Sequence, residues 1–164
     1  MFTISEVMNT DIYTLNENDS VLDARRLMAE HHIRHIPVVT EGNRLVGVVS
    51  QRDVLAAADS NLVVAPEDSQ AQEAYVTVSS IMSVSVNTVE ESASLRGAAL
   101  YMQKNKIGCL PVVHNDKLTG IITDSDFVAI AINLMEQLEE AEADTDMDAD
   151  TEDYEVSELQ HQAT

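Results

Sequence analysis

Tryptophan is absent from this 164-residue chain, aromatic residues make up 4% of it, and a single cysteine, three prolines and nine basic residues stand against 29 acidic ones. Each shortage removes a class of function. With so few Lys and Arg and a formal charge of −20, the chain lacks the basic surface that releases counterions from a polyanion, which argues against duplex DNA or RNA as a partner. The scarcity of aromatic side chains leaves few platforms for stacking bases. Cys109, alone within Ile107-Gly108-Cys109-Leu110-Pro111, cannot close an internal disulfide and reads as a small buried hydrophobe. No apolar run approaches the roughly 20 residues of a membrane helix. Met1-Phe2-Thr3-Ile4-Ser5-Glu6 lacks the basic start and apolar centre of a secretory signal, so a soluble protein resident in the cytoplasm is expected.

What is present is one pattern written twice. At a shift of 74 positions Met8, Thr14, Glu17, Ser20, Ala24, Met28, Ile33, Pro37, Val38 and Val39 meet Met82, Thr88, Glu91, Ser94, Ala98, Met102, Ile107, Pro111, Val112 and Val113. At a shift of 73, Leu45, Gly47, Asp53, Ala56 and Ala58 meet Leu118, Gly120, Asp126, Ala129 and Ala131. The lost residue falls where Glu41-Gly42-Asn43 faces Asn115-Asp116, and both stretches are turn chemistry. Two copies of this length are too few for an open solenoid. They predict two similar modules in one globular unit.

Each copy reads as strand, helix, strand, strand, helix. First strands are expected near 12–15 and 86–89. Ser20 and Ser94 are expected to cap helices carrying apolar stripes Val21, Ala24, Leu27, Met28 and Leu95, Ala98, Tyr101, Met102. Ile36-Pro37-Val38-Val39 with Leu45-Val46-Gly47-Val48-Val49, and Leu110-Pro111-Val112-Val113 with Leu118-Thr119-Gly120-Ile121-Ile122, are hairpin signals. Pro37 and Pro111 are expected at a strand's first residue or on an edge, having no N–H to donate. A further helix follows Asp53 and Asp126. The expected divisions are module one at 1–58, a linker with a short helix within 71–78 at 59–80, module two at 81–135, and a helix extension with an acidic tail at 136–164. That tail holds 12 acidic residues and no Lys or Arg, and beyond Ala143 its composition predicts disorder.

The chemistry-bearing pattern is a glycine, two aliphatic residues, Ser or Thr, two variable residues and Asp. It occurs as Gly47-Val48-Val49-Ser50-Gln51-Arg52-Asp53 and as Gly120-Ile121-Ile122-Thr123-Asp124-Ser125-Asp126. One occurrence is an ordinary helix cap. Two occurrences at matched distances from a Pro-Val-Val run ask for more. Together with Val7-Met8 and Ile81-Met82 at the module starts, they make the chain resemble, over about residues 5–133, a tandem pair of CBS domains (named after cystathionine β-synthase), also called a Bateman module. The resemblance implies an α/β (α+β) fold of two β-α-β-β-α modules packed with pseudo-twofold symmetry, with adenosine-containing ligands in clefts between them. By position it makes Asp53 and Asp126 ribose ligands and sets Ser50 and Thr123 beside phosphate. It points to Tyr13-Thr14-Leu15 and His35-Ile36-Pro37, and to Asn87-Thr88-Val89 and Cys109-Leu110-Pro111, for the adenine slot, with Ile36 and Leu110 touching the base.

The copies differ in phosphate-neutralising groups. Copy one offers His31, His32, Arg34, His35 and Arg52; copy two has Lys104 and Lys106 but Gly108-Cys109 where Arg34-His35 stood, so occupancy is expected to be unequal. A metal site from His31, His32 and His35 is disfavoured because adjacent histidines at a helix end diverge and no Cys completes a tetrahedron. Asp144, Asp146, Asp148, Asp150, Glu152 and Glu155 overlap the spacing of an EF-hand calcium loop, but Ala149 occupies the turn position that needs glycine. The leading expectation is a regulatory module without catalysis that senses AMP, ADP or ATP, or S-adenosylmethionine or NAD, acts in trans on another protein and forms a homodimer. The alternatives are a ligand-free interaction protein working through its dimer surface or tail, and an enzyme acting on the bound nucleotide.

Overall fold

The computed structural model describes residues 2–59 and 73–161. In order these form a 3₁₀ turn at Ile4–Glu6, α1 (Val21–His31), β1 (His35–Val39), β2 (Leu45–Ser50), α2 (Gln51–Asp59), a 3₁₀ turn at Val78–Ser80, β3 (Val89–Glu90), α3 (Leu95–Asn105), β4 (Cys109–His114), β5 (Lys117–Thr123) and α4 (Asp124–His161). The architecture is mixed α/β, and the chain divides into two units, Met1–Asp124 and Ser125–Thr164. Most of the expected linker, and the start of the helix expected within 71–78, lie outside the described residues; Val78 itself opens the second 3₁₀ turn.

Helices α1 and α3 begin as their serines dictate. Ser20 Oγ accepts from Asp23 N–H at 3.1 Å while Asp23 returns a carboxylate oxygen to Ser20 N–H at 3.1 Å, a closed capping box. Ser94 Oγ accepts from Gly97 N–H at 3.3 Å without an acidic partner. Both helices end on a left-handed residue that is not glycine, His32 (φ 55°) and Lys106 (φ 57°), whose N–H bonds back to the carbonyl of Met28 or Met102. The buried stripes are Val21, Ala24, Met28 and Ala98, Met102. Tyr101 departs from the expected stripe: it is exposed, and its hydroxyl donates to Asn87 Oδ1 at 2.9 Å.

The hairpins β1–β2 and β4–β5 pair antiparallel, with a bulge between Val38 and Val39 in one and between Val112 and Val113 in the other. Their turns explain the missing residue. Asn115 (φ 50°) and Asp116 (φ 63°) make a two-residue turn with both positions left-handed, the geometry that suits a tight hairpin. In the first copy Asn43 N–H donates to Thr40 O and Asn43 alone is left-handed (φ 62°), the three-residue form.

The first strands are shorter than expected. In copy one only Leu15 bridges, in parallel to Val38, through Leu15 N–H to Pro37 O (3.1 Å) and Val39 N–H to Leu15 O (2.8 Å). In copy two the strand is Val89–Glu90, parallel to β4. Pro37 sits third in β1 and Pro111 third in β4, not at the strand starts. The C=O of Pro37 faces Leu15, so its missing N–H lies on the same side, where it would have extended the ladder toward Tyr13. The proline therefore ends the first strand and marks that stretch as an edge.

The two halves exchange their leading segments. Ile4 N–H donates to Ala93 O, and its counterpart Val78 N–H to Asp19 O. Asn9 bridges Ile121 in β5, and its counterpart Ser83 bridges Val48 in β2; Thr3 pairs with Ser94, and Thr77 with Ser20. Every contact has its repeat-shifted mate, which is pseudo-twofold symmetry expressed in hydrogen bonds. Met82 and Met8 thereby lie over the motif glycines. A Cβ at Gly47 would meet Met82 Sδ at 2.6 Å, and one at Gly120 would meet Met8 Sδ at 2.5 Å.

Leu15, Val21, Ala24, Met28, Ile36, Val38, Val49, Val54 and Val78 pack as one buried cluster, so the second copy's leading residue Val78 completes the first copy's core. The backbone of α4 is helical through His161, whereas composition predicts disorder past Ala143. Burial is not required for local helicity, and Ala, Glu, Leu, Met and Gln all favour it. No helix among the described residues is long and apolar enough to cross a membrane.

Candidate functional site

The strand β2 ends at Ser50 and α2 begins at Gln51, so the first copy of the glycine-to-aspartate pattern lies on a strand-to-helix corner. Ser50 N–H and Ser50 Oγ both donate to Asp53 Oδ2 at 2.7 Å, and Asp53 N–H donates to Ser50 Oγ at 3.2 Å. This is a capping box, so the ordinary reading of the motif is true of copy one. It does not exhaust the motif, because the box also holds the Asp53 carboxylate in the wall of a cleft of about 300 Å³. His35, Arg52, Ser83, Val86 and Asn87 share that wall. The exchanged segment after Met82 thus supplies one side of the cleft and the corner of β2 and α2 supplies the other.

A second cleft of about 590 Å³ shares His35, Ser50, Arg52, Ile107 and Gly108 with the first and extends to Arg34, Lys106 and Asp124. The pair spans the size range typical of small-molecule sites, ~300–1,000 Å³. Arg34 Nη2 bonds Asp124 Oδ1 at 3.1 Å, an ion pair between the two halves with both side chains about half exposed, and so of modest strength. Three cationic side chains and one carboxylate line this larger cleft.

His35 lies between the two clefts with its ring against Gly108, where a Cβ would meet its Cε1 at 2.9 Å. Burial pushes the imidazole pKa below its ordinary value; Asp124 opposes that shift, Arg34 reinforces it, and Asp53 and Arg52 add smaller contributions of either sign. The ring is therefore neutral at pH 7, a hydrogen-bonding group rather than a cation.

The expected site residues separate into three groups. His35, Ser50 and Asp53 come together, with Arg34 in the adjoining cleft. Ile36, Leu110, Pro37 and Pro111 are fully or almost fully buried, and Ile36 belongs to the core cluster; their side chains line none of the three clefts described. Side chains alternate across a strand, so His35 and Cys109 at the strand starts face the cleft while Ile36 and Leu110 face inward. Thr88 lies apart, in a cleft of about 210 Å³ with Arg44, Val84, Val113 and Asp116, and Thr14 is exposed outside all three clefts. Thr123 closes β5 and Asp126 is the third residue of α4, in the second unit. Sequence reasoning missed Ser83 and Ser85 as wall residues, whereas Asn87 and Lys106, expected near the base and near phosphate, do line the clefts. Both serines follow Met82, whose paired glycine was the available signal of the exchange.

Among the described residues no group of three or more His, Cys, Asp or Glu is placed to hold a metal ion. His31 stacks on Tyr13 instead, with ring centroids 3.7 Å apart. The calcium-loop-like spacing from Asp144 falls where only the backbone is described. The Cys109 thiol is pushed up to about 12, by burial first and the Asp124 carboxylate second. A disulfide reagent at pH 8 is expected to react at least about tenfold faster with the urea-unfolded chain than with the native one, since the thiolate is the nucleophile; equal rates would contradict that burial. Because the unfolded thiol ionises first, its contribution to stability is complete below about pH 9 and is lost as the pH rises toward 12.

The family model for the CBS domain matches residues 4–60 and again 78–133. Among solved structures, a Vibrio cholerae protein designated for acetoin utilization (AcuB) is 44% identical, with a TM-score of 0.72 over 85% of this chain and 97% of its own. CBSX2, solved in complex with AMP, is 30% identical, with a TM-score of 0.69 over 82% of this chain and 99% of its own. The CBS domain pair of protein MJ0100, solved with 5′-methylthioadenosine and S-adenosyl-L-methionine, is 25% identical, with a TM-score of 0.70 over 81% of this chain and 98% of its own. Among curated relatives, a CBS domain-containing protein of Bacillus subtilis (YhcV) is 28% identical over 135 residues, 82% of this chain and 87% of that protein. Other relatives are much longer: the chain spans 41% of a 33.4 kDa Thermofilum pendens protein in a ribosomal RNA operon, at 33% identity over 75% of this chain. It spans 22% of the homoserine O-acetyltransferase of Methanosalsum zhilinae, at 29% identity over 73% of this chain.

Proposed function

Since the chain belongs to the CBS domain family, carrying the domain twice, we propose that it is a regulatory module that binds an adenosine-containing ligand in the cleft beside Asp53 and signals occupancy to another protein. The observation that carries this reading is the placement of Asp53. Its carboxylate is held by Ser50 in the wall of a nucleoside-sized cleft built from both halves. A carboxylate can accept from both hydroxyls of a ribose, and few other groups offer that vicinal pair of donors. The neutral His35 ring and the polar Ser83, Ser85 and Asn87 supply further hydrogen-bonding groups. CBSX2 with AMP and MJ0100 with two S-adenosyl-type compounds are similar chains whose ligands share adenosine.

In this reading Asp126 and Thr123 serve the matching site of the second copy, the working form is a homodimer in the cytoplasm, and the regulated partner is bound in trans. The direct test is thermal unfolding with adenosine, AMP, ADP, ATP, S-adenosylmethionine, 5′-methylthioadenosine and NAD. A ligand at about 100 times its Kd stabilises by about 2.7 kcal/mol, so the melting temperature should rise by about 5–10 °C with at least one of them. No shift with any adenosine compound would overturn the proposal.

A further inference from the structure

From the distribution of charge around the larger cleft, we infer that the copy-one site selects nucleoside polyphosphates, with Arg52 and Lys106 as its specificity-determining residues, and that each chain offers one such site rather than two. This inference rests on the adenosine reading and narrows it.

Only nine residues of the chain are basic, and three of them, Arg34, Arg52 and Lys106, line one cleft of about 590 Å³. Arg34 is already engaged with Asp124. Among the described residues neither Arg52 nor Lys106 is ion-paired to a carboxylate, although the chain carries 29 acidic residues. Three cationic side chains against the single Asp124 carboxylate leave the cleft with an excess of positive charge and a net electrostatic demand for an anion. The two come from opposite halves: Arg52 stands in the first turn of α2, and Lys106 at the left-handed cap of α3. Their spacing is therefore set by the packing of the halves and not by one flexible loop.

The path from nucleoside to phosphate is continuous. His35, Ser50 and Arg52 line both clefts, so a ligand with its ribose on Asp53 reaches the larger cleft only through substituents on its 5′ side or an equivalent extension. Ser50 and Arg52 line both clefts and Lys106 only the larger one, so a longer phosphate chain has more cationic groups to engage than a single phosphate. The same charges oppose S-adenosylmethionine, whose sulfonium carries a positive charge at the atom where the phosphate chain of a nucleotide begins.

The repeat makes the contrast internal. The positions matching Arg34, Arg52 and Lys106 are Gly108, Ser125 and His32, none of them Lys or Arg. An equivalent set of cations is therefore missing from the other copy's positions, and Gly108 itself lines the same cleft as Arg34.

The test is isothermal titration of the full chain, without divalent cations and at two ionic strengths, with adenosine, AMP, ATP, S-adenosylmethionine and inorganic tripolyphosphate. Arg52→Gln and Lys106→Gln are the variants, and Lys104→Gln, on α3 but outside the cleft, is the control. We expect ATP to bind at least about tenfold more tightly than AMP, at one site per chain, with a preference that shrinks as salt rises. Each cleft variant should weaken ATP about tenfold; Lys106, which lines only the larger cleft, should when changed to Gln alter adenosine by less than about twofold, and the control should change neither. ATP no tighter than AMP, two equal ATP sites per chain, or equal losses for adenosine and ATP in the variants would each overturn the inference. If adenosine and AMP fail to bind while tripolyphosphate binds and is lost in Lys106→Gln, the anion-binding cleft stands and the adenosine reading falls. Failure of both ATP and tripolyphosphate would end the inference whatever adenosine does.

Discussion

Gly120→Val is expected to destabilise the protein by about 3 kcal/mol, lowering the melting temperature by about 6–12 °C. Judged by strand preference alone the change should help, since Val favours strands and Gly weakens them. The opposite sign is expected because Met8, arriving from the start of the other copy, occupies the space. A Cβ at residue 120 would stand 2.5 Å from Met8 Sδ, 3.0 Å from Met8 Cγ and 3.3 Å from the Asn9 carbonyl oxygen. The thioether can swing away, but the Asn9 backbone is tied to Ile121 by bonds of 2.9 and 3.0 Å. Relief therefore requires giving up part of the segment exchange. Combining Gly120→Val with Met8→Ala should cost less than the sum of the two single changes by more than about 0.5 kcal/mol, the coupling expected of touching groups. Strict additivity, or a raised melting temperature for Gly120→Val alone, would show that the methionine does not hold the leading segment in place.

Asp53→Asn should separate the two duties of one carboxylate. As a cap, Asp53 accepts from Ser50 N–H and Oγ on a single oxygen, Oδ2. An asparagine retains one carbonyl oxygen for that purpose, so the expected stability loss is at most about 1 kcal/mol. As a ribose ligand it needs two acceptor oxygens and a negative charge, and asparagine replaces one acceptor with a donor that faces the hydroxyl hydrogens wrongly. Affinity for adenosine should fall about 30-fold, equivalent to about 2 kcal/mol, the scale of a hydrogen bond to a charged group. An unchanged affinity with a reduced melting temperature would leave Asp53 as a helix cap and nothing more. Because adenosine carries no phosphate and Lys106 lines only the larger cleft, this outcome is independent of Lys106.

The two Ser caps, the paired hairpins and the one-residue difference between their turns were legible because each depends on residues within a few positions of one another. Asn115-Asp116 can adopt two left-handed positions in succession, whereas Glu41-Gly42-Asn43 closes its turn with one; the sequence states that difference outright. The corner that presents Asp53 was equally legible, since Ser50 and Asp53 are three residues apart and bond directly. Ile36 and Leu110, expected beside the base, have their side chains buried, and the sequence could not show that for a physical reason. Apolar character is shared by a residue that lines a ligand slot and one that fills the core, and only the direction of the strand's alternation, set by what packs beneath it, distinguishes them. Tyr101 repeats the point: helical spacing placed it on the apolar stripe, but its hydroxyl is carried outward to Asn87.

By itself the sequence determined that this protein has two like halves, where their helices and hairpins lie, and which corner of the first carries a carboxylate fit for a diol. Those features arise from short-range sterics, local hydrogen bonds and periodicity, which act before any distant contact forms. Tertiary structure decided that each half lends its leading segment to the other, that Met82 and Met8 rest on Gly47 and Gly120, and that Arg52 and Lys106 face one cleft from opposite halves. These depend on contacts between residues 35 to 112 positions apart, such as Val48 with Ser83 and Asn9 with Ile121. No local preference selects such a pairing; it forms because each half buries the other's exposed strand edge and completes its core.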